Sequence, residues 1–131
     1  MIIGLGIDAV TIERCKNWHT YSPKRLGRIL CEQEIAHCLK SPKHSAERFA
    51  ARFAAREAFF KAWNSAFPDQ YIPLLRLCRA LSVVHGPNNL PQIAVNWPLL
   101  AIKAPPITIL LSFTHSDSNA IACVILQRIS A

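Results

Sequence analysis

Alternating stretches of apolar and polar residues divide the chain into a first strand, a helical middle and a strand-rich end. Residues 2–10 form a β-branched apolar run interrupted by glycines, which predicts a buried strand. Helix start signals then predict short helices over residues 23–29 and 32–40, and a long helix from about residue 45 to 63. Residues 64–73 show no clear periodicity and are predicted to be irregular.

The C-terminal part predicts two strand pairs. Residues 81–85 and 92–97 flank a turn rich in Gly, Pro and Asn, and residues 107–114 and 120–129 flank a polar four-residue loop. Such hairpins favour antiparallel pairing. One strand, then helices, then strand pairs is typical of the α+β class. With 131 residues and no repeat or linker, the chain is predicted to form a single domain over residues 1–131.

The long helix contains a carboxylate where an apolar residue is expected. Its phenylalanines at 49, 53 and 60 fall on one face, and Glu57 lies inside this apolar stripe. Lys61 follows one turn later, at the edge of the stripe. A carboxylate on a buried face is costly unless a cation or hydrogen-bond donors meet it, which indicates a functional residue. The alternative is a simple i,i+4 ion pair between Glu57 and Lys61.

One face of the first strand also ends in a carboxylate. Because side chains alternate along a strand, Gly4, Gly6 and Asp8 point to the same side. The two glycines would let a ligand or another backbone come close to that side. Alternatively, Asp8 only ends the strand in a turn.

The end of the penultimate strand has the sequence SFTH. Ser112 and Thr114 alternate onto one face, and His115 opens the following loop. Hydroxyls and an imidazole at a strand end can hold a phosphate, although the same pattern fits a solvated polar strand end. The chain contains no G-x-S-x-G nucleophile elbow, so the pattern does not indicate a serine hydrolase.

Composition narrows the classes of function. The formal net charge of +7 would attract nucleic acid, a membrane surface, a phosphorylated cofactor or an acidic protein. No apolar run is long enough to span a membrane, and the N-terminus lacks the features of a signal peptide. Five cysteines without C-x-x-C spacing argue against a disulfide framework or a zinc ribbon, with Cys123 expected in the core. We therefore expect a cytoplasmic protein that does not enter a membrane.

Three segments together resemble the holo-acyl-carrier-protein synthase family, the short bacterial type of 4′-phosphopantetheinyl transferase. IGLGIDAVTIER (residues 3–14) is similar to the opening G-I-D strand of the family. RFAAREAFFKAW (residues 52–63) is similar to its helix motif F-A-x-K-E-A-x-x-K-A, and LSFTHSD (residues 111–117) to its S-x-S/T-H strand. The order and spacing of the three segments match over nearly the whole chain. The resemblance implies the transferase fold of this family, an antiparallel sheet packed against a long helix.

The resemblance also implies a reaction. Asp8 and Glu57 would bind Mg²⁺, with Lys61 assisting as a positive charge. A serine of an acyl carrier protein would attack the β-phosphorus of coenzyme A, and adenosine 3′,5′-bisphosphate would leave. The base would be Glu57 or a metal-bound water beside it. This activity would support fatty acid biosynthesis.

Further contacts follow from the resemblance alone. The residues implied in binding coenzyme A are Arg52, Arg56, Ser112, Thr114 and His115. The family implies a homotrimer with shared sites, in which the Asp8–Glu57 pair comes from one subunit and His115 from the next.

The chain departs from the family pattern at three places. Arg56 replaces the lysine before the motif glutamate, which keeps the charge but changes the geometry. Asn-Ser-Ala at 64–66 replaces G-T-G, and Asn-Leu-Pro at 89–91 replaces G-K/R-P. Because asparagine tolerates positive φ, we expect both turns to survive.

A basic cluster surrounds the first short helix. Its members are Arg14, Lys24, Arg25 and Arg28, and no acidic residue lies between positions 15 and 31. Acyl carrier proteins are acidic, and the family docks them in this region. The alternative is a solvated basic face.

Two other functions are open on the sequence. A nucleic-acid-binding module would explain the charge, but the chain has no such motif, and only Tyr21 offers a stacking ring near the basic cluster. A transferase-like subunit without activity is the other alternative, and the presence of Asp8, Glu57 and Lys61 argues against it. We therefore expect carrier protein and coenzyme A, and not nucleic acid, as partners.

Overall fold

The computed structural model describes residues 1–130, which form a three-stranded sheet, a two-stranded sheet and a long central helix. The strands are β1 (Ile2–Thr11), β2 (Leu81–His85), β3 (Pro91–Val95), β4 (Ile107–His115) and β5 (Asn119–Arg128). The α-helices are α1 (Pro23–Leu26), α2 (Glu32–Leu39), α3 (Ser45–Ala66) and α4 (Leu74–Ala80). Among the described residues, no helix has the length and apolar character that crossing a membrane requires.

The three-stranded sheet is antiparallel and has the order β1-β5-β4, so β1 and β4 are its two edges. Asp8 in β1 pairs with Ala122 in β5, and Ala122 pairs with Phe113 in β4. Two interstrand spacings of about 4.8 Å each therefore separate the edge strands. Strands β2 and β3 form their own antiparallel pair. The predicted α+β class, with an antiparallel sheet against a long helix, is confirmed.

Helix α3 lies against the inner face of this sheet at very short range. A Cβ atom at Gly4 would lie 2.5 Å from the carbonyl oxygen of Ala62, and one at Gly6 would overlap the carbonyl of Ala58. The glycines of β1 therefore admit the backbone of α3 and not a ligand. This close packing brings Asp8, which follows Gly6 on the same face, against the helix.

The sequence predicts a fully buried first strand, but the structure buries only one face of it. Leu5 and Ile7 are 60% and 59% exposed on the outer face of the sheet. Cys123, predicted to be a core residue, lies half-buried on that same face, where it pairs with Ile7. The prediction was wrong because an apolar run does not distinguish a buried face from one that no described element covers.

The region after α3 also differs from the prediction. α3 extends to Ala66, and α4 was not predicted. Asn64 does not form a positive-φ turn, because it lies in α3 and its side chain binds the backbone of Ile72: the Ile72 N–H donates to Oδ1 at 2.9 Å, and Nδ2 donates to the Ile72 carbonyl at 3.2 Å. Asn89 does adopt the expected conformation, with φ of 58°.

Candidate active site

Two carboxylates and a lysine meet where β1 packs on α3. The Nζ of Lys61 donates hydrogen bonds of 3.0 Å to Asp8 Oδ1 and to the Ile7 carbonyl. The Asp8 side chain is only 11% exposed, whereas that of Lys61 is 52% exposed. Within residues 1–130 the ion pair of Lys61 therefore joins the helix to the strand, and the alternative of a simple Glu57–Lys61 pair is wrong. Asp8 also lies inside β1 and not in a turn.

Glu57 is held close to Asp8. Burial raises the pKa of the Glu57 carboxyl, and the neighbouring Asp8 carboxyl raises that pKa further. The positive charges of Arg14 and Lys61 oppose the rise without cancelling it. The Arg14 guanidinium lies 5.0 Å from the ring centre of Phe53, one turn before Glu57. Two carboxylates this close resist ionising together unless a cation joins them.

The carboxylate pair fits a divalent cation. Asp8 Oδ2 is buried and has no hydrogen-bond partner among the described residues, a costly state that a hard cation would relieve. The described residues contain no cluster of three or more His, Cys, Asp or Glu side chains that could hold a metal ion. Mg²⁺ typically takes one or two carboxylates and leaves its other positions to water and substrate phosphate. The donor set is therefore compatible with Mg²⁺.

Arg56 lies inside the protein and not at an open site. Its guanidinium makes a bidentate pair with Glu34 of α2, with distances of 2.5 and 2.9 Å. It also donates to the carbonyls of Cys78 and Leu81, at 3.3 and 2.8 Å. The side chain is fully buried. The expectation that Arg56 contacts coenzyme A is thus corrected: its charge is neutralised internally, and it joins α3 to α2, α4 and β2.

A second candidate site is a cavity of about 320 Å³ near the start of α3. We call it the histidine cavity. It is lined by His37, His44, Glu47, Arg48, Ala51, Arg52, His85, Phe113 and His115. Arg52 is 3% exposed, and its Nε has no hydrogen-bond partner among residues 1–130. This Nε lies 3.9 Å from the Glu34 carboxylate, which Arg56 already binds. A buried guanidinium N–H without a hydrogen bond beside a cavity favours an anionic ligand.

The charges around the histidine cavity are unevenly matched. Glu47 is its one acidic lining residue, and it contacts Nδ1 of His44 at 2.5 Å and Nδ1 of His115 at 3.1 Å. Burial lowers the pKa of His37, and the positive charges of Arg52 and Arg48 lower it further. Among the lining residues two arginines face one glutamate, and Glu34, outside the lining, is shared between Arg52 and Arg56. The cavity therefore keeps a positive charge, which suits a phosphate group.

The predicted phosphate-binding strand end is divided between two faces. His115 points to the side of α3, where it meets Glu47. Ser112 and Thr114 are exposed at the alternate positions of β4, on the outer face with Leu110. Within one chain the structure therefore does not bring the two hydroxyls and the imidazole together.

The predicted carrier surface is exposed as expected. Arg14, Lys24, Arg25 and Arg28 are all exposed. Ser22 caps α1 by accepting a hydrogen bond from the Arg25 N–H at 3.2 Å, and the Arg25 guanidinium lies 3.7 Å from the ring centre of Tyr21. These contacts position Arg25 within the basic cluster.

Several site residues were missed from the sequence. Arg48 could have been found, because RFA occurs at both 48–50 and 52–54 and places Arg48 one turn before Arg52. Glu34, His37 and His85 carry no local signal, because only the tertiary fold brings α2 and β2 to α3.

The α+β scaffold carries a carboxylate pair and a lysine at one edge of its sheet and a cationic cavity at the other. This combination is typical of a protein that binds a phosphorylated substrate. The sequence model of the 4′-phosphopantetheinyl transferase superfamily matches residues 4–108. This chain belongs to that family.

Two relatives with similar sequences indicate which group within this superfamily the chain resembles. A holo-(acyl-carrier-protein) synthase of Halalkalibacterium halodurans is 37% identical over 133 residues, which cover 100% of both chains. One from Ehrlichia ruminantium (strain Gardel) is 35% identical over 135 residues, covering 98% of each. The predicted resemblance to the holo-acyl-carrier-protein synthases is confirmed.

Solved structures agree with this fold. A holo-(acyl-carrier-protein) synthase from Bacillus anthracis, in complex with coenzyme A (3′,5′-ADP), superposes with a TM-score of 0.74 at 25% identity and covers 98% of this chain and 99% of its own. The Chronobacterium ammoniagenes synthase in complex with coenzyme A gives a TM-score of 0.78 at 22% identity, covering 97% and 98%, which shows the shared fold.

Proposed function

We propose that this protein transfers 4′-phosphopantetheine from coenzyme A to a serine of apo-acyl carrier protein. The observation that carries the proposal is the Asp8–Glu57–Lys61 site, in a chain that aligns over its full length with a holo-(acyl-carrier-protein) synthase. The Bacillus anthracis structure with bound coenzyme A supports the donor. The products are holo-acyl carrier protein and adenosine 3′,5′-bisphosphate.

Each residue of the Asp8–Glu57–Lys61 site has a role in the proposed transfer reaction. The serine oxygen attacks the β-phosphorus of coenzyme A, the bond from this phosphorus to the bridging oxygen breaks, and adenosine 3′,5′-bisphosphate leaves. Glu57 accepts the serine proton, directly or through water, and its raised pKa suits this role of proton acceptor. Lys61 offers an exposed positive charge to the phosphate oxygens. Mg²⁺ held by Asp8 and Glu57 would supply charge neutralisation at the pyrophosphate.

The histidine cavity is the proposed site for a phosphate of coenzyme A. The buried Nε of Arg52, which makes no hydrogen bond within residues 1–130, and the position of His115 on the cavity wall support this assignment. Arg48 would add a second positive charge. Ser112 and Thr114 would contribute only if the outer face of the sheet meets another subunit.

We also propose a homotrimer with shared sites. Asp8 lies on edge strand β1 and His115 at the end of the opposite edge strand β4. A subunit boundary at which the β1 edge of one copy meets the β4 edge of the next would bring these two residues to one site. The exposed apolar side chains of Leu5, Ile7 and Leu110 on the outer face support an interface there.

We also propose that the reaction takes place in the cytoplasm. All five cysteines are free thiols, which fits a reducing cytoplasm. Burial raises the pKa of Cys15, Cys38 and Cys78 to about 11, so these thiols stay protonated and take no part in catalysis. A role in fatty acid biosynthesis follows if the carrier protein used is that of fatty acid synthesis.

The reaction is tested by mass spectrometry of an apo-carrier protein incubated with coenzyme A, Mg²⁺ and this protein. Wild type should add one phosphopantetheine group. Asp8→Ala and Glu57→Gln should each lower the rate at least about 100-fold, and Asp69→Asn, an exposed carboxylate elsewhere, should not. Full activity of either site variant contradicts the assignment. Binding of nucleic acid without any transfer favours the alternative of a nucleic-acid module.

Shared sites are tested by complementation. Asp8→Ala and His115→Ala chains are refolded together, and about a quarter of the interfaces should then carry neither lesion. Asp8→Ala mixed with Glu57→Gln is the matched control, because both lesions belong to the same half of the site and no activity should return. An active monomer in sedimentation experiments contradicts the trimer.

A further inference from the structure

A groove rich in arginine lies between α1 and α4. Its volume is about 550 Å³. It is lined by Arg25, Arg28, Ile29, Leu75, Arg76 and Arg79. We call it the arginine groove. Only its α1 side belongs to the basic cluster that the sequence shows.

Helix α4 contributes two arginines and one leucine to this groove, because its periodicity turns its other side toward the core. Leu77, Cys78 and Ala80 are buried and hold the helix against the core. Arg76 and Arg79, three residues apart, therefore lie on the exposed side. Leu75 joins them and is 65% exposed, an unusual state for a large apolar side chain within a cationic surface.

The opposite wall repeats this arrangement. Arg25 and Arg28 are also three residues apart, and the turn after α1 continues with a hydrogen bond of 3.2 Å from the Arg28 N–H to the Arg25 carbonyl. Ile29, half-buried, lies beside them. Each wall of the groove thus carries two arginines and one apolar residue.

The four arginines are not neutralised from within. No acidic side chain lines the groove, and none of the four forms an ion pair within residues 1–130. Arg76 is held in place by a hydrogen bond of 2.9 Å from Nη2 to the Leu100 carbonyl. Arg25 is held by the Tyr21 ring. Two of the four guanidinium groups are therefore positioned before any ligand arrives, which lowers the entropy cost of binding.

The groove continues toward the carboxylate pair. A smaller cleft of about 150 Å³, lined by Trp18, Tyr21, Arg25, Leu26 and Ile29, adjoins it through Arg25 and Ile29. The Trp18 ring packs on Phe53 at 5.8 Å between centres, and Arg14 covers the same Phe53 one turn before Glu57. Packing of Trp18 on Phe53 thus connects the floor of this cleft to the part of α3 that carries Glu57.

We propose that the arginine groove seats an acidic amphipathic helix of the acyl carrier protein, so that docking extends from α1 onto α4. An apolar stripe of that helix covers Leu75 and Ile29, and acidic residues at its two edges pair with Arg76 and Arg79 on one wall and with Arg25 and Arg28 on the other. The inference rests on the proposed function and adds α4 to its partner surface.

The test is reversal of the α4 charges. Arg76→Glu/Arg79→Glu should raise KM for apo-carrier protein roughly tenfold or more at low salt, with KM for coenzyme A changed less than about twofold. Lys40→Glu/Arg128→Glu makes the same change in net charge outside the groove and should have a much smaller effect. Arg79→Lys keeps the charge and should stay within about threefold of wild type.

A second variant and a binding measurement separate weakened docking from misfolding and from slower turnover. Leu75→Glu/Arg79→Glu leaves the Arg76–Leu100 hydrogen bond intact and should weaken docking as strongly. Fluorescence titration of apo-carrier protein without coenzyme A should show the same loss of affinity, with melting temperatures near that of wild type. Salt should reduce the difference between wild type and variants.

The outcomes separate the inference from the proposed function. If wild type transfers phosphopantetheine and the α4 reversals match the Lys40→Glu/Arg128→Glu control, the inference is wrong and the function stands. If wild type neither binds nor modifies the carrier protein, both are wrong. Salt-dependent binding of a DNA or RNA oligonucleotide that the α4 reversals abolish, with no effect on the carrier protein, also overturns the inference.

Discussion

Replacing Glu34 by glutamine should destabilise the protein far more than its place on a short helix suggests. Glu34 accepts both hydrogen bonds of the bidentate pair with Arg56, and the two side chains are 2% and 0% exposed. The Nε of Arg52 lies 3.9 Å from the same carboxylate. Glu34→Gln keeps the shape of the side chain but leaves two buried guanidinium groups without their counter-ion.

The magnitude follows from the burial. Removing one partner of a buried ion pair typically costs about 3–5 kcal/mol, because the remaining charge stays desolvated. A domain of this length is stable by about 5–15 kcal/mol in total. The loss should lower the melting temperature by roughly 10–20 °C. The other hydrogen bonds of Arg56, to the carbonyls of Cys78 and Leu81, hold the charge in place and prevent it from moving to solvent.

The same pair predicts a dependence on pH. Burial alone would raise the pKa of Glu34, but the hydrogen bonds and charge of Arg56 outweigh it, and the pKa of this carboxyl lies below its usual value. Its contribution to stability is therefore present above the unfolded-state pKa, about 4.3, and is lost as the pH falls from there through the lower folded-state pKa. Wild type should lose stability in this acid range, and Glu34→Gln should lose less.

Urea titrations and thermal melts check both statements. Glu32→Gln, an exposed carboxylate in the first turn of α2, is the control and should change stability by less than about 0.5 kcal/mol. Glu34→Leu/Arg56→Met should be more stable than Glu34→Gln, because it removes both charges. A loss below about 1 kcal/mol for Glu34→Gln, or a double variant no better than the single one, would refute the reasoning.

Two further predictions concern β1 and the carboxylate pair. Gly6→Ala should cost about 2–3 kcal/mol or more in a urea titration, because its Cβ overlaps the Ala58 carbonyl, whereas Ala9→Ser on the exposed face should cost little. A stable Gly6→Ala variant would mean that the strand and helix separate easily. Glu57→Gln should raise the melting temperature in EDTA, since it removes a carboxylate whose pKa is raised beside Asp8. Added Mg²⁺ should stabilise wild type, and Glu57→Gln should abolish this stabilisation. An equal Mg²⁺ shift in both proteins would contradict Glu57 as a ligand.

The sequence predicted the fold because its strongest patterns are local. The long helix, the two hairpins and the glycine face of β1 each follow from the periodicity or composition of a few neighbouring residues. Asp8 and Glu57 stood out because each is a carboxylate on a small or apolar face, and the structure brings them together. Gly4 and Gly6 left two explanations open, and only the position of α3 decided between them.

The errors concern contacts between distant segments. Arg56 looked like a cofactor residue because it precedes Glu57 in a motif, yet one position along a helix turns the side chain by about 100° and into the core. Its partner Glu34 lies 22 residues away, on a helix whose docking no local pattern shows. α4 was missed since its seven residues are too few to establish a period.

The positions of Arg52 and Glu57 on α3 keep the two proposed half-sites apart within one chain. Five residues along α3 correspond to about 140° around the helix axis, so the two side chains leave it on different sides. Glu57 turns to β1 and Asp8, and Arg52 turns to the histidine cavity beside the end of β4. The strand order β1-β5-β4 keeps these sides apart, because β5 lies between them. A site that uses both half-sites on one coenzyme A molecule is therefore best formed where the β1 edge of one subunit meets the β4 edge of the next.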